Sequence, residues 1–319
     1  MGHSLGSEVQ RKSFLLRIRK VFLENVKVSI IRAILVDSVE RLIGMAKFAA
    51  RLHCLLAREA PVAVVIRRGP SKQVCTMLWD RRSDNFQVGQ WLKGRIYERR
   101  CDLSPDGKFL IYFAMNGRWK SEVQGAWTAI SSAPYLKAIT VFPKGDCWNG
   151  GGLFTGRKSY WLNDGHGHSV LRDSKELTRD LKFRPTENFG GECLGVYYPQ
   201  LLRDGWQLTS RTRVSSLEQL DVFEKALGKG WMLRKLAHAE VGSSPGKGCY
   251  WDEHELVHTA KDNKISCPDW EWTELDRKRL VWATKGKLFA GRMNDAGIFN
   301  ETQLFDFNDM TFEPIEAPY

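Results

Sequence analysis

The stretch Cys101-Asp-Leu-Ser-Pro-Asp-Gly-Lys-Phe-Leu-Ile-Tyr-Phe-Ala114 decides the fold of this 319-residue chain. Pro105 presets φ for a tight turn and Gly107 accepts a positive φ, so the turn predicts a hairpin between two apolar strands. A degenerate copy lies at Asp276-Arg-Lys-Arg-Leu-Val-Trp-Ala283, which aligns with Asp106-Gly-Lys-Phe-Leu-Ile-Tyr-Phe113. The copy keeps the turn acid, the turn lysine and the apolar strand, which indicates that one structural unit is repeated.

Similar short runs of β-branched and aromatic residues fill the chain after Pro61, separated by Gly, Pro, Asp and Asn. We predict strands at residues 62–66, 74–79, 109–113, 138–142, 230–237, 280–283 and 303–307. One helix is predicted at 215–227, with Ser216 as its N-cap and Gly228 as its C-terminal stop. The pattern is that of an all-β domain over residues 62–319.

A second repeated element is an aromatic strand followed by Asp, found at Leu78-Trp-Asp80, Tyr160-Trp-Leu-Asn-Asp164 and Tyr250-Trp-Asp252. The Ser-Pro-Asp-Gly-Lys turn at 104–108 and the Trp-Asp strand ends resemble the blades of WD-repeat and related β-propeller proteins, including bacterial propeller-type proteins. The resemblance covers most of residues 62–319 and implies a β-propeller. At roughly 40–50 residues per blade, the length implies about five irregular blades.

Residues 1–61 differ in composition from the rest of the chain. Apolar residues recur there at steps of three and four with Arg and Lys between them, which predicts a basic amphipathic helical segment. The segment holds eleven Lys and Arg against five Asp and Glu, so it carries more than half of the net charge of +11. Such a segment packs on its own domain, is poorly ordered, or binds an anionic surface such as nucleic acid or a membrane. A start of translation at Met45 is a further alternative.

Cysteine usage and hydropathy bear on where the protein resides. The seven cysteines form no Cys-x-x-Cys pair, and no run approaches the ~18 apolar residues of a membrane span. We expect reduced thiols in a cytoplasmic protein without a transmembrane segment.

The sequence contains one catalytic motif, His254-Glu-Leu-Val-His258, which matches the zinc peptidase pattern His-Glu-x-x-His. On a helix, the two histidines lie one turn apart and bind zinc, and the glutamate activates water. The flanking residues favour a strand in a hairpin, where Glu255 and Val257 face away from His254, Leu256 and His258. We therefore predict a hairpin here and expect neither a metal nor another cofactor.

Two Gly-rich loops carry the residues that we expect to contact a partner. Trp148 and Asn149 lie in Asp146-Cys-Trp-Asn-Gly-Gly-Gly152, where a large ring can stay exposed, and His166 and His168 lie in Asp164-Gly-His-Gly-His168. The tryptophans within predicted strands are expected to pack between blades. A basic stretch is either a charged solvent face or a site for an anionic partner; it comprises Arg67, Arg68, Lys72, Arg81, Arg82, Arg95, Arg99 and Arg100.

Propellers host both enzymes and scaffolds, so the fold alone does not assign a function. The sequence favours a non-catalytic binding or scaffold module that holds a protein or peptide partner. One alternative is a hydrolase with its site in the propeller channel, metal-dependent through His254 and His258. A second alternative is an anionic-surface binder that acts through residues 1–61.

Overall fold

The structure is a computed structural model that describes residues 48–69, 72–165, 168–190, 192–215, 217–242 and 248–319. The predicted N-terminal helical segment lies mostly outside these residues. Its described end is not helical, because Arg51–Leu56 is a strand that pairs in antiparallel register with Val62–Gly69. The helical prediction is therefore wrong for this stretch. Four consecutive residues of the strand, Leu52 to Leu55, are buried, and a strand covered on both faces loses the alternation that identifies it in a sequence.

The described residues form five sheets, each built from one continuous stretch of chain and antiparallel apart from one two-residue parallel pair. Sheet 1 contains β1 (Arg51–Leu56), β2 (Val62–Gly69), β3 (Gln73–Asp80) and β4 (Asn85–Lys93). Sheet 2 contains β5 (Arg95–Ile96), β6 (Asp102–Leu103), β7 (Phe109–Met115), β8 (Ala126–Ser132) and β9 (Ala138–Pro143). Sheet 3 contains β10 (Gly152–Phe154), β11 (Ser159–Leu162) and β12 (Thr178–Arg179).

Sheet 4 contains β13 (Gln207–Arg213), β14 (Glu218–Gly228), β15 (Trp231–Glu240), β16 (Tyr250–His258) and β17 (Asn263–Cys267). Sheet 5 contains β18 (Trp270–Asp276), β19 (Arg279–Thr284), β20 (Lys287–Asn294) and β21 (Gly297–Asp306). All seven predicted strands fall on strands of these sheets, so the all-β class is confirmed.

The two aligned hairpins occupy equivalent places in their sheets. The turn at 104–108 joins β6 to β7 in sheet 2, and the turn at 276–279 joins the first two strands of sheet 5. Gly107 has a φ of +76° and Arg277, at the aligned position, has a φ of +59°. The repeat inferred from the sequence is therefore a repeat of structure. The Trp-Asp pattern is less regular, because Tyr250-Trp-Asp252 begins a strand instead of ending one.

The helix predicted at 215–227 is wrong, since β14 covers most of that stretch and pairs with a strand on each side. Its Leu, Glu, Lys and Ala favour helix locally, but two sheet neighbours override a weak propensity. The helix in the described residues is instead α1 (Leu194–Arg203), which contains Pro199 and has no side-chain N-cap. Neither feature signals a helix in the sequence.

The first strands of sheets 2 and 5 are interrupted. β5 and β6 pair with different ends of β7, and the residues between them include a 3₁₀ turn at Glu98–Arg100. In β18, the register with β19 shifts between Trp270 and Trp272, which leaves Glu271 as the extra residue of a bulge. Bulges redirect side chains. Both interruptions place charged residues in the interior.

The buried side chains connect neighbouring sheets in a closed series. One cluster joins sheets 1 and 2, a second joins sheets 2 and 3, and a third joins sheets 1 and 5. A fourth unites sheets 4 and 5 with α1, which also contacts β10 and β13 and so lies between sheets 3 and 4. Strand tryptophans contribute to this packing, as predicted; Trp79, Trp231, Trp272 and Trp282 are all buried.

Within the part of the chain that the structure describes, no helix has the length and apolarity needed to cross a membrane.

Candidate functional site

A polar cluster lies buried where three of the sheets meet α1. It draws one or two residues from each of several elements: His53 of β1, Glu98 and Arg99 of the 3₁₀ turn, Tyr197 of α1, Lys235 of β15, and Asp252 and His254 of β16. These positions are far apart in the sequence, so only the fold brings them together.

Asp252 is the acceptor at the middle of the cluster. Its Oδ2 accepts a hydrogen bond of 2.7 Å from the Tyr197 hydroxyl and contacts Arg99 Nη2 at 3.1 Å and Lys235 Nζ at 3.3 Å. Burial alone would raise the pKa of Asp252, but the charges of Arg99 and Lys235 outweigh it and hold this pKa well below its usual range. The carboxylate is therefore permanently ionised and serves to compensate two buried cations.

Both nitrogens of His254 are occupied. Lys235 Nζ donates to His254 Nε2 at 2.9 Å, and His254 Nδ1 lies 2.8 Å from the carbonyl oxygen of Trp270. Because an ammonium only donates and a carbonyl only accepts, the imidazole is neutral with its proton on Nδ1. Burial lowers the pKa of His254 to about 3, which agrees with that neutral state.

The His-Glu-x-x-His match lies on β16, so the predicted hairpin of β16 and β17 is confirmed. His254, Leu256 and His258 are buried on one face, whereas Glu255 on the other face pairs with Arg234 and Lys264. His258 Nδ1 accepts a hydrogen bond from the Ala260 amide. Zinc peptidase chemistry requires the glutamate to lie on the same side as the two imidazoles, and Glu255 lies on the opposite side. No group of three potential metal ligands occurs among the described residues.

Glu271, which is not a member of this cluster, is a buried carboxyl group with incomplete hydrogen bonding. It accepts a hydrogen bond from the Leu52 amide, but its Oε1 is buried and has no partner among the described residues. Burial raises the pKa of Glu271 to about 7, opposed by the Leu52 amide and by the charges of Arg51 and Arg68. The side chain bridges sheet 5 to sheet 1 and is half neutral near pH 7.

The Trp148 loop (residues 144–151) is the exposed part of the predicted site. Arg100, itself buried, donates from Nη1 to the carbonyl oxygens of Cys147, at 2.7 Å, and of Asn149. The guanidinium also lies 4.9 Å from the ring centroid of Phe113. A buried cation thus fixes the backbone on both sides of Trp148, whose side chain is 58% exposed. The predicted exposure of this ring is confirmed.

The second predicted loop lies directly beside the first. The Gly150 amide donates to the Asn163 carbonyl at 2.7 Å, and the Asn163 amide donates to the Gly151 carbonyl at 3.0 Å. Gly151 is required at its position, because a Cβ there would lie 2.0 Å from the carbonyl oxygen of Arg100. Asn149 is buried. The structure therefore brings the two predicted loops together, although they are separated in the sequence.

His168 is buried at the end of the second loop. Its two ring nitrogens have no hydrogen-bond partner among the described residues. Burial, followed by the charge of Lys144, lowers its pKa to about 4, so the ring is neutral at physiological pH. His166 lies outside the described residues.

The basic stretch of the sequence is not one surface. Arg67 and Arg100 are buried, and Arg67 donates to the carbonyl oxygens of Phe307, Asn308 and Met310. Arg81 pairs with Asp276, and Arg99 belongs to the buried cluster. Lys72 and Arg95 are exposed. The interpretation as a single charged face is therefore wrong, because alternate residues of the strands point inward.

Sequence reasoning missed the buried cluster entirely. Among its members, the sequence patterns singled out Arg99, Asp252 and His254, each for a reason unrelated to the cluster. A weak signal exists, since polar residues at 53, 235 and 254 interrupt otherwise apolar strand faces.

No protein-family model and no curated protein matches the chain. Among solved structures, the chain is similar to an uncharacterized protein, lmo1340, from Listeria monocytogenes EGD-e, with 10% identity and a TM-score of 0.27 over 81% of this chain and 66% of the other. It is also similar to the GH43 BlXynB protein from Bacillus licheniformis, with 11% identity and a TM-score of 0.29 over 78% of this chain and 50% of the other. The chain thus spans less than two thirds of the length of either structure.

Proposed function

We propose that the protein is a non-catalytic β-propeller that acts as a binding module and contacts its partner through the Trp148 loop. Each of the five sheets is then one blade. The propeller is supported by the closed series of contacts from sheet 1 through sheet 5 and back to sheet 1, with α1 between sheets 3 and 4. Sheets that meet face to face in a ring are typical of this architecture.

A binding role is favoured over a hydrolase by the state of the interior polar groups. Asp252 bonds to Lys235, Arg99 and Tyr197, and His254 bonds to Lys235 and to the Trp270 carbonyl; a carboxylate or imidazole occupied in this way is not available to a substrate. The zinc motif of the hydrolase alternative lies on a strand with its glutamate on the opposite face. The interior network therefore supports a role in holding the blades in place.

The observation that carries the proposal is the exposure of Trp148 on a backbone that Arg100 fixes. Tryptophan dominates binding energies at interfaces because it covers a large area and loses little side-chain entropy. A loop that is already rigid loses less conformational entropy when a partner binds. An exposed ring on a fixed backbone is thus suited to be the anchor of an interface.

The test is capture of the partner by tagged full-length protein and by the variant Trp148→Ala. We expect the variant to lose at least about tenfold in affinity for the captured partner, because a central tryptophan contributes ~2 kcal/mol or more. The melting temperature should not change, since the ring packs on little of its own chain. Leu217→Ala is the matched control, with a side chain that is 57% exposed at a different site, in the connection between β13 and β14. Equal capture by all three proteins contradicts the proposal.

A further inference from the structure

Four chain segments line one end of sheets 1 and 2, and together they form a surface that we call the basic rim. It consists of Lys72 in the β2–β3 turn, residues 93–97, the β7–β8 loop at 116–125, and residues 144–148 of the Trp148 loop. Hydrogen bonds and close approaches link these segments in a continuous row.

The row can be followed from contact to contact. The Gly94 amide donates to the Lys72 carbonyl at 2.7 Å, and Arg95 pairs with Met115. The Asn116 amide then donates to the Gly125 carbonyl at 3.0 Å. Next, the Lys144 amide donates to the Ala126 carbonyl at 2.9 Å, and the segment continues to Trp148.

Cations predominate on the basic rim. The four segments contain six cationic side chains against the carboxylates of Glu122 and Asp146, a net charge of +4, and Lys144 and Asp146 neutralise each other at 2.9 Å. The other cations are exposed and form no salt bridge among the described residues: Lys72, Lys93, Arg95, Arg118 and Lys120. Cations without carboxylate partners are available to an anionic ligand.

Two exposed indole rings accompany these charges. Trp119 is 55% exposed and Trp148 is 58% exposed. Trp119 lies between Arg118 and Lys120, and its ring covers Gly125, where a Cβ would approach the ring to 2.5 Å. The glycine therefore lets one face of the indole rest on the backbone. Trp119 and Trp148 are the exposed tryptophans of the described residues, so exposed indole rings accompany cations without salt bridges at this end of the molecule.

From this arrangement we infer that the basic rim binds single-stranded nucleic acid, with the phosphates on the cations and unpaired bases on Trp119 and Trp148. Aromatic faces beside cations are the common means by which proteins bind single strands without reading their sequence. An acidic peptide would use the charges but would leave both indole faces without a matching flat ring. The inference rests on the proposed binding function, because Trp148 belongs to both surfaces.

The test uses full-length protein and a fluorescein-labelled 20-residue oligo(dT), with dissociation constants measured by anisotropy between 50 and 300 mM salt. We expect affinity to fall with salt, and the triple variant Lys72→Gln, Arg118→Gln, Lys120→Gln to lower the magnitude of the log–log slope by about 2, at ~0.7 for each phosphate contact. Trp119→Ala should weaken binding by about fivefold to a hundredfold, as expected for loss of one stacked base. The matched control is Lys175→Gln, Lys229→Gln, Lys278→Gln, which removes three exposed lysines from other sheets and should leave the slope unchanged.

The inference would be overturned by absence of oligonucleotide binding, by binding that both triple variants weaken equally, or by binding that Trp119→Ala leaves intact. A further outcome concerns polyglutamate as a competing ligand. If polyglutamate binds as tightly as oligo(dT) and the same rim variants abolish its binding, the surface is assigned to an acidic peptide and the nucleic-acid inference is overturned. Failure of this inference can be distinguished from failure of the proposed binding function. If Trp148→Ala loses a captured protein partner while oligo(dT) does not bind, the binding module stands and the nucleic-acid inference falls.

Discussion

Glu271 is an ionisable residue whose surroundings favour its neutral form. Burial raises its pKa to about 7, above the usual 4.5, so the folded state holds more protons than the unfolded state between these two pH values. The free energy of unfolding should therefore fall as pH rises through this window. Glu271→Gln keeps an acceptor for the Leu52 amide and removes the charge. We expect the variant to match the parent near pH 4 and to exceed its stability at pH 8 by on the order of 2 kcal/mol, measured by urea unfolding.

Three of the described histidines contribute a pH dependence of the opposite sign. Burial lowers the pKa of His53 and of His254 to about 3 and that of His168 to about 4, so the unfolded state binds more protons below pH 6.5 and stability is lost as pH falls. All three histidines are present in parent and variant, so their contribution cancels in the difference between the two proteins. Glu122→Gln, at an exposed site, is the control for removal of one carboxylate. If the difference in free energy of unfolding between Glu271→Gln and the parent does not change with pH, the raised pKa of Glu271 is contradicted.

At the scale of elements, the two aligned hairpins allow a direct comparison of the same turn position. Gly107 has a positive φ, and a Cβ there would lie 2.2 Å from Val62 Cγ2. Gly107→Ala should therefore lower the free energy of unfolding by roughly 2 kcal/mol or more, from backbone strain and from the clash. Arg277 has a positive φ without being glycine, so Arg277→Gly should leave stability unchanged or raise it by up to about 1 kcal/mol. Thermal and urea unfolding measure both effects. Equal losses of stability in the two variants would contradict this prediction.

The elements that the sequence predicted are those whose signal is local. The hairpin at 104–108 depends on Pro105 and Gly107, and the exposure of Trp148 depends on neighbouring glycines, so both could be read directly. β14 could not be predicted from its local sequence, because its helix-favouring residues are held extended by pairing with β13 and β15. α1 could not be predicted either, since Pro199 and the aromatic residues do not favour a helix locally. Its stability comes from contacts with β6, β10 and β13.

At the scale of the whole molecule, the two parts of the candidate site differed in how far they could be predicted. The Trp148 loop and the loop around His168 are short, polar and rich in glycine, so each was visible alone, although nothing in the sequence placed them side by side. The buried cluster draws one or two residues from each of β1, the 3₁₀ turn, α1, β15 and β16. Such a cluster requires the arrangement of the sheets to be known first, because each of its members resembles an ordinary strand or helix residue in isolation.

A partly buried ion network spans the junction at which sheet 5 meets sheet 1. Arg279 contacts Asp84 through two nitrogens at 2.7 Å, and it shares Asp276 with Arg81, which lies 2.7 Å from that carboxylate. Because Asp276 is fully buried, loss of Arg279 leaves its charge compensated by one cation instead of two. Arg279→Gln should therefore lower the free energy of unfolding by roughly 2–4 kcal/mol.

The consequence of this loss should be confined to the junction if the sheets close as a ring. Hydrogen exchange in Arg279→Gln should accelerate in β1 and β18, whose strands meet there, and should not change in sheet 3, which shares no apolar core cluster with sheet 1 or sheet 5 among the described residues. The control is Arg234→Gln, which removes partly exposed ion pairs with Glu224 and Glu255 inside sheet 4 and should cost about 1 kcal/mol or less. Acceleration in sheet 3 equal to that in β1 would show that the five sheets unfold as one unit and that the junction has no separate stability. Similar losses in the two variants would show that the ion network at the junction contributes no more than a surface pair.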